Sequence, residues 1–146
     1  MKRCLNIFAA IVALCSFTGC YEEIDLVEGG TYTVINYTTN DNEVADIRTG
    51  YSGMHVISNT YTDGVGKVIV DGKITHFYPY FMNCYNVTSV TIPKGVTSIA
   101  SEAFYYCENL KSITLPEGVK QIESAAFYNC DRLESVTLPT TLVTIG

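Results

Sequence analysis

The chain has 146 residues, enough for one domain. Its 15 acidic residues outnumber its 9 basic ones, for a formal charge of −6. An acidic surface repels phosphate backbones, so nucleic acid is not an expected partner.

The first segment reads as an export signal. Met1-Lys2-Arg3 supplies a positive start, and LNIFAAIVALCSF is an apolar run too short to span a bilayer as a helix. No second apolar run long enough to span follows. Phe17-Thr18-Gly19-Cys20 then sets small residues before a cysteine. This resembles the lipobox of bacterial lipoproteins, with Phe17 where that family prefers leucine. The resemblance implies a signal peptide over 1–19 and acylation of Cys20. Acyl chains contribute roughly 0.8 kcal/mol per buried methylene and hold a protein on a membrane rather than across it. The other reading is an ordinary secretory signal with an incidental cysteine. Removing 1–19 leaves 127 residues and a formal charge of −8. The segment 20–30 reads as a linker. Its Tyr21-Glu22-Glu23-Ile24-Asp25 resembles the surface-export tag of some Bacteroidetes lipoproteins, or is a plain solvated stretch.

Residues 31–80 read as a β-rich N-terminal cap. Thr31–Tyr37 is dense in β-formers. Val68-Ile69-Val70, Asp71-Gly72 and Lys73-Ile74 predict a hairpin closed by a type I′ turn at Asp71-Gly72. Asp63-Gly64 is a second turn signal. Lys73-Ile74-Thr75-His76-Phe77 then parallels a phrase that recurs later, with Phe77 at an isoleucine position.

From residue 81 the chain repeats itself. Phe81, Phe104 and Phe127 are 23 residues apart, as are Cys84, Cys107 and Cys130, and Pro93, Pro116 and Pro139. A fixed period of this size is the signature of a solenoid. In the middle unit Leu110-x-x-Ile113-x-Leu115 forms an LxxLxL core. Ser112-Ile113-Thr114-Leu115 alternates as a short strand that Pro116 ends. Val119 and Ile122 return the chain across the core. One unit cannot bury its apolar face alone, so each coil covers the one before. The expected fold is a mainly β solenoid of the leucine-rich repeat type with an N-terminal β-hairpin cap and few or no helices. The repeats fill 81–146 and stop in mid-unit at Gly146. The expectation is a fragment of a longer array, or an end covered by another chain.

Three cysteines fall in the folded part. Adjacent coils stack about 4.8 Å apart, within reach of a disulfide, but equivalent side chains point the same way. A buried thiol ladder is expected at Cys84, Cys107 and Cys130. No CxxC or Cys/His cluster suggests zinc, and no cofactor motif is present. His55 and His76 sit in no motif, and a Cys84–His76 dyad would need a thiolate at a buried position. The chain reads as non-enzymatic.

Two surfaces remain. Outward strand positions form columns: Thr88, Lys111 and Glu134; Ser89, Ser112 and Ser135; Thr91, Thr114 and Thr137. Such stacked faces serve as binding surfaces in solenoids, though serine and threonine also simply suit exposed strands. Tyr105, Tyr106 and Tyr128 follow the buried phenylalanines on edge loops. They suit aromatic contacts or packing between coils.

The AFxxC…L…LP…V…I phrasing over Phe81–Gly146 resembles the BspA-like family of bacterial surface leucine-rich repeats, and YTVINYTTNDNEV upstream resembles the cap preceding such repeats. The resemblance implies an outer-membrane, surface-exposed protein that binds protein ligands, including host matrix proteins and other bacteria. A glycan- or mucin-binding lipoprotein and a structural spacer are the alternatives.

Overall fold

The computed structural model describes residues 31–50 and 55–146. The signal peptide, Cys20 and the linker lie outside the described residues. The unit Thr31–Gly146 contains ten strands and, among the described residues, no helix. They are β1 (Tyr32–Thr39), β2 (Val56–Thr62), β3 (Val65–Asp71), β4 (His76–Phe77), β5 (Val87–Thr91), β6 (Ser98–Ile99), β7 (Ser112–Thr114), β8 (Gln121–Ile122), β9 (Ser135–Thr137) and β10 (Thr144–Ile145).

Two sheets face each other across the core. One has six strands in the order β2-β3-β1-β5-β7-β9, and the other has four in the order β10-β8-β6-β4. Strands β5, β7 and β9 pair in parallel, with Val90 beside Ile113 and Ile113 beside Val136. On the opposite side Phe77 pairs with Ile99, Ile99 with Ile122, and Ile122 with Ile145. The sequence period is therefore the period of the coil. Phe77 does occupy the isoleucine position of the later returns, as its phrase predicted.

The coil closes on stacked aromatic rings. Phe81 and Phe104 lie 6.1 Å apart and 11° from parallel; Phe104 and Phe127 lie 5.3 Å apart and 2° from parallel. Val96, Val119, Leu110, Ile113 and Leu115 fill the rest of the core. Tyr80 stands where later coils carry Ala103 and Ala126 and is fully buried. The first coil has no repeat before it, and the larger ring fills that space. Burial pushes the Tyr80 hydroxyl up to about 12, and it has no hydrogen-bond partner among the described residues.

Turns between faces need left-handed residues. Gly95 and Gly118 have φ of 97° and 105°. Asn83, Tyr106 and Asn129 hold φ of 63°, 58° and 55° at one position of successive coils. This backbone aims the amide along the solenoid axis: Asn83 N donates to Tyr105 O at 2.8 Å and Tyr106 N to Tyr128 O at 2.9 Å. Asparagine tolerates the left-handed region and tyrosine does so poorly, so Tyr106 is the strained member.

The N-terminal end is sealed by an antiparallel meander. β1 pairs with β5, placing Tyr37 beside Val90, and its other edge pairs with β3. The hairpin lies one strand earlier than the sequence predicted. Asp63-Gly64 joins β2 to β3, and its φ values of 51° and 82° are those of a type I′ turn. At Asp71-Gly72 the chain instead leaves the sheet, and Lys73-Ile74 leads to β4 on the other face. Both dipeptides suit positive φ, but β1 and β2 already occupy both edges of β3, so no edge remains for a return strand.

Tyr37 plugs this end. Its ring packs at 5.5 Å from Phe81, its hydroxyl donates to Asn59 Oδ1 at 2.7 Å, and it accepts from Ala45 N at 3.2 Å. Asn59 Nδ2 closes the triangle on Ala45 O at 2.7 Å. Gly66, opposite Tyr37 in the register, leaves room for that ring. A Cβ at Gly66 would overlap the ring, whose hydroxyl is fixed at both ends. Gly66→Ala should lower unfolding free energy by about 1–3 kcal/mol, the range for overpacking, in denaturant titration. Gly72→Ala, where a Cβ meets only open space but φ is 77°, should cost less.

Candidate functional site

The outer face of the six-stranded sheet is built by the pleat. Residues of β5, β7 and β9 alternate, so Val90, Ile113 and Val136 turn inward and their neighbours outward. The register then sets Ser89, Ser112 and Ser135 side by side, and Thr91, Thr114 and Thr137 likewise. Thr91, Ser112, Thr114, Ser135 and Thr137 are exposed, as are Lys111 and Glu134 at the strand entries. Thr88 and Ser89 are half-buried, because Thr38 Oγ1 of β1 lies 2.7 Å from each of their hydroxyls. The first coil's share of two columns is thus spent on the meander, while the later coils' share faces solvent.

The meander also extends the face in a way the repeats alone do not show. Asn36 sits opposite Thr91, and Lys67 sits opposite Asn36. One row therefore runs Lys67, Asn36, Thr91, Thr114, Thr137 across five strands. Sequence reasoning missed Asn36 and Lys67, because antiparallel pairing between β1 and β5 leaves no periodic signal. An open depression of about 430 Å³ lies over β5 and β7, lined by Ser89, Thr91, Ser112 and Thr114 among others.

The tyrosines gather on the adjoining edge of the coil. Tyr105 and Tyr128 stack with centroids 5.0 Å apart and planes 12° from parallel. Tyr106 meets Tyr105 edge-on at 4.7 Å and Tyr128 at 6.0 Å. Tyr128 is 52% exposed and the other two are half-buried. Packing between coils and presentation to solvent are combined in one cluster. Loss of water around its ring, the neighbouring Tyr106 and Tyr128, and the Glu102 carboxylate all raise the Tyr105 hydroxyl above its ordinary value.

The three cysteines form a reduced ladder. Cys107 Sγ donates to Phe81 O at 3.0 Å, Cys130 Sγ to Phe104 O at 3.1 Å, and Cys84 Sγ to Asp46 O at 3.4 Å. All three are free. Each thiol is directed at a carbonyl, for Cys107 and Cys130 one in the coil before, rather than at the neighbouring sulfur. Burial pushes the Cys84 thiol up to about 12, with the nearby Asp46 adding to it. Burial likewise raises Cys130 to about 11 and lifts Cys107 as well. His76 does not face Cys84: its Nδ1 lies 3.0 Å from Thr75 Oγ1 and its ring stacks on Tyr78. No group of three or more metal-ligating side chains occurs among the described residues.

With this geometry in place, residues 77–146 match the family model described as BspA type Leucine rich repeat region, in six copies. The fold is a leucine-rich repeat solenoid. A crystal structure of a leucine rich cell surface protein from Faecalibacterium prausnitzii is similar to 44% of this chain at 37% identity, with a TM-score of 0.42. The match spans 17% of that protein's chain. No curated protein matches. Leucine-rich repeats are typically non-catalytic, and their stacked faces suit an interaction role.

The raised thiols have a measurable consequence. At pH 8 the folded chain should react with iodoacetamide roughly a hundredfold more slowly than the unfolded chain, with Cys130 modified first, as read by peptide mass spectrometry. The stability effect has a definite sign. Above about pH 8.5 the unfolded thiols lose protons that the folded ones keep, so stability falls as pH rises from there towards the folded values.

Proposed function

We propose that this chain is a surface-displayed lipoprotein, held by an acylated Cys20, whose solenoid binds protein ligands through the outer face of its six-stranded sheet. Host matrix proteins and the surfaces of other bacteria are the expected ligand classes, and the role is adhesive rather than catalytic. The observation that carries the reading is the row of exposed hydroxyls set in register by parallel pairing at Ser112 and Ser135 and at Thr91, Thr114 and Thr137. These short side chains present many donors and acceptors at small entropic cost, on strands that the core holds rigid. Lys111 and Glu134 add one charge of each sign at the margin of the face. The signal-like start and the Thr18-Gly19-Cys20 sequence support export and anchoring.

A second reading has its own observation. The stacked Tyr105–Tyr128 pair, with Tyr106 against its edge, is an aromatic platform of the kind that glycans use.

Two sets of variants separate these readings. T91V/S112A/T114V removes three hydroxyls and keeps the strand shape. It should weaken binding to immobilised extracellular matrix proteins by roughly tenfold, a modest sum of three hydrogen bonds, with the melting temperature little changed. Y105A/Y128A should leave that binding in place. Loss of glycan-array signal in the tyrosine variant, with no effect of the hydroxyl variant on any ligand, would instead favour the second reading. For the anchor, Cys20→Ala should move the protein from the membrane to the soluble fraction, and the intact mass of the wild-type protein should carry acyl chains. An unacylated wild-type mass removes the anchor.

A further inference from the structure

The proposed binding face has a charge pattern opposite to that of the chain. Three shallow depressions adjoin one another along it. The first, of about 410 Å³, is lined by Lys67 and by Asn36, Thr38, Ser89 and Thr91. The second, of about 430 Å³, shares Ser89 and Thr91 with the first and adds Lys94. The third, of about 490 Å³, shares Pro93 and Lys94 with the second and adds Lys73. The shared residues make them one trough that crosses β3, β1 and β5 and turns around the end of β5.

Its lining is selective. Beyond Gly30 the chain has seven basic and eleven acidic residues. Three of those cations, Lys67, Lys73 and Lys94, line the trough, and none of the acids does. All three lysines are exposed, and none forms an ion pair among the described residues. Elsewhere the carboxylates are put to use in pairing coils: Glu117 accepts from Thr140 N and Oγ1, and Glu123 from Ser101 N and Oγ. Asp41 similarly ties its own loop to Asn86.

We propose that the trough receives an acidic, extended polypeptide segment of the partner protein. This deepens the binding reading above and rests on it. Cations without an ion-pair partner attract negative charge over a distance set by ionic strength. The hydroxyls of Thr91, Ser112 and Thr114 then supply short-range hydrogen bonds to peptide groups and carboxylates. The lining sets three lysines among neutral hydroxyl and amide groups and contains no arginine. That sparse charge suits the spaced carboxylates and peptide groups of a polypeptide better than the dense charge of a sulfated glycan.

The test uses the chain as processed by the cell and fluorescein-labelled poly-L-glutamate as probe, followed by fluorescence anisotropy. Binding should be saturable at low salt and should weaken as ionic strength rises. K67E/K94E should lower affinity by roughly tenfold or more. K120E/R132E makes the same change in net charge away from the trough and should alter affinity less than about twofold. Unchanged circular dichroism in both variants excludes misfolding as the cause. The proposal falls if poly-L-glutamate does not bind, or if both double variants lose affinity alike. It also falls if heparin or hyaluronate binds in a Lys67- and Lys94-dependent way while poly-L-glutamate does not. If K67E/K94E still captures matrix proteins and T91V/S112A/T114V does not, the face remains the binding surface and the acidic-segment inference is overturned. If neither variant affects capture, the reading of the face itself fails.

Discussion

Backbone hydrogen bonding between successive coils is the constraint on which the rest of this structure depends. Amides on both sheets and in the turns point along the solenoid axis, as in Lys111 N to Thr88 O, Glu134 N to Lys111 O and Phe104 N to Ala126 O. Once coils pair at a fixed repeat, equivalent side chains must stack. The core then becomes a set of columns: phenylalanine on phenylalanine, aliphatic on aliphatic, thiol beneath carbonyl. The outer face becomes columns of hydroxyls by the same geometry. Core and candidate site are two consequences of one register.

The columns differ in what they can tolerate. Phe81 and Phe104 of the phenylalanine stack are enclosed, so a change of volume at Phe104 is felt by the coil on each side. The left-handed turn is looser. Asparagine serves in two coils and tyrosine in the one between, and the strain at Tyr106 coincides with the edge-on packing of its ring against Tyr105 and Tyr128. The cysteine column is chemically quiet because burial disfavours the thiolate and each S–H is already committed to a carbonyl. A thiol there acts as a small apolar filler with one directed hydrogen bond.

The N-terminal meander does more than end the solenoid. A parallel stack leaves an unpaired edge at its first strand. β1 covers it by running antiparallel to β5, and Tyr37 fills the space beneath. In doing so β1 and β3 add Asn36, Thr38 and Lys67 to the outer face. The charge of that face is thus set largely by the part of the chain that does not repeat.

Much of this was determined by the sequence alone. The 23-residue spacing of Phe81, Phe104 and Phe127 specified a solenoid, its coil length and the stacking of like on like, because a period in sequence becomes a period in space when coils pair in register. Alternation around Ile113 specified which residues face outward, since a strand reverses its side chains at every step. Only the tertiary structure decided the rest. Asp63-Gly64 and Asp71-Gly72 are equivalent as local signals, and the choice between them was made by which edges of β3 were already occupied. The left-handed turns at Glu102 and Tyr106 carry no glycine to announce them; inter-coil hydrogen bonds to Ser124 O and Tyr128 O hold them. Lys67, Lys73 and Lys94 are scattered along the chain, and they share one trough because β1 pairs with both β3 and β5. Pairing between distant strands is settled by burial and free edges, which no local stretch of sequence contains.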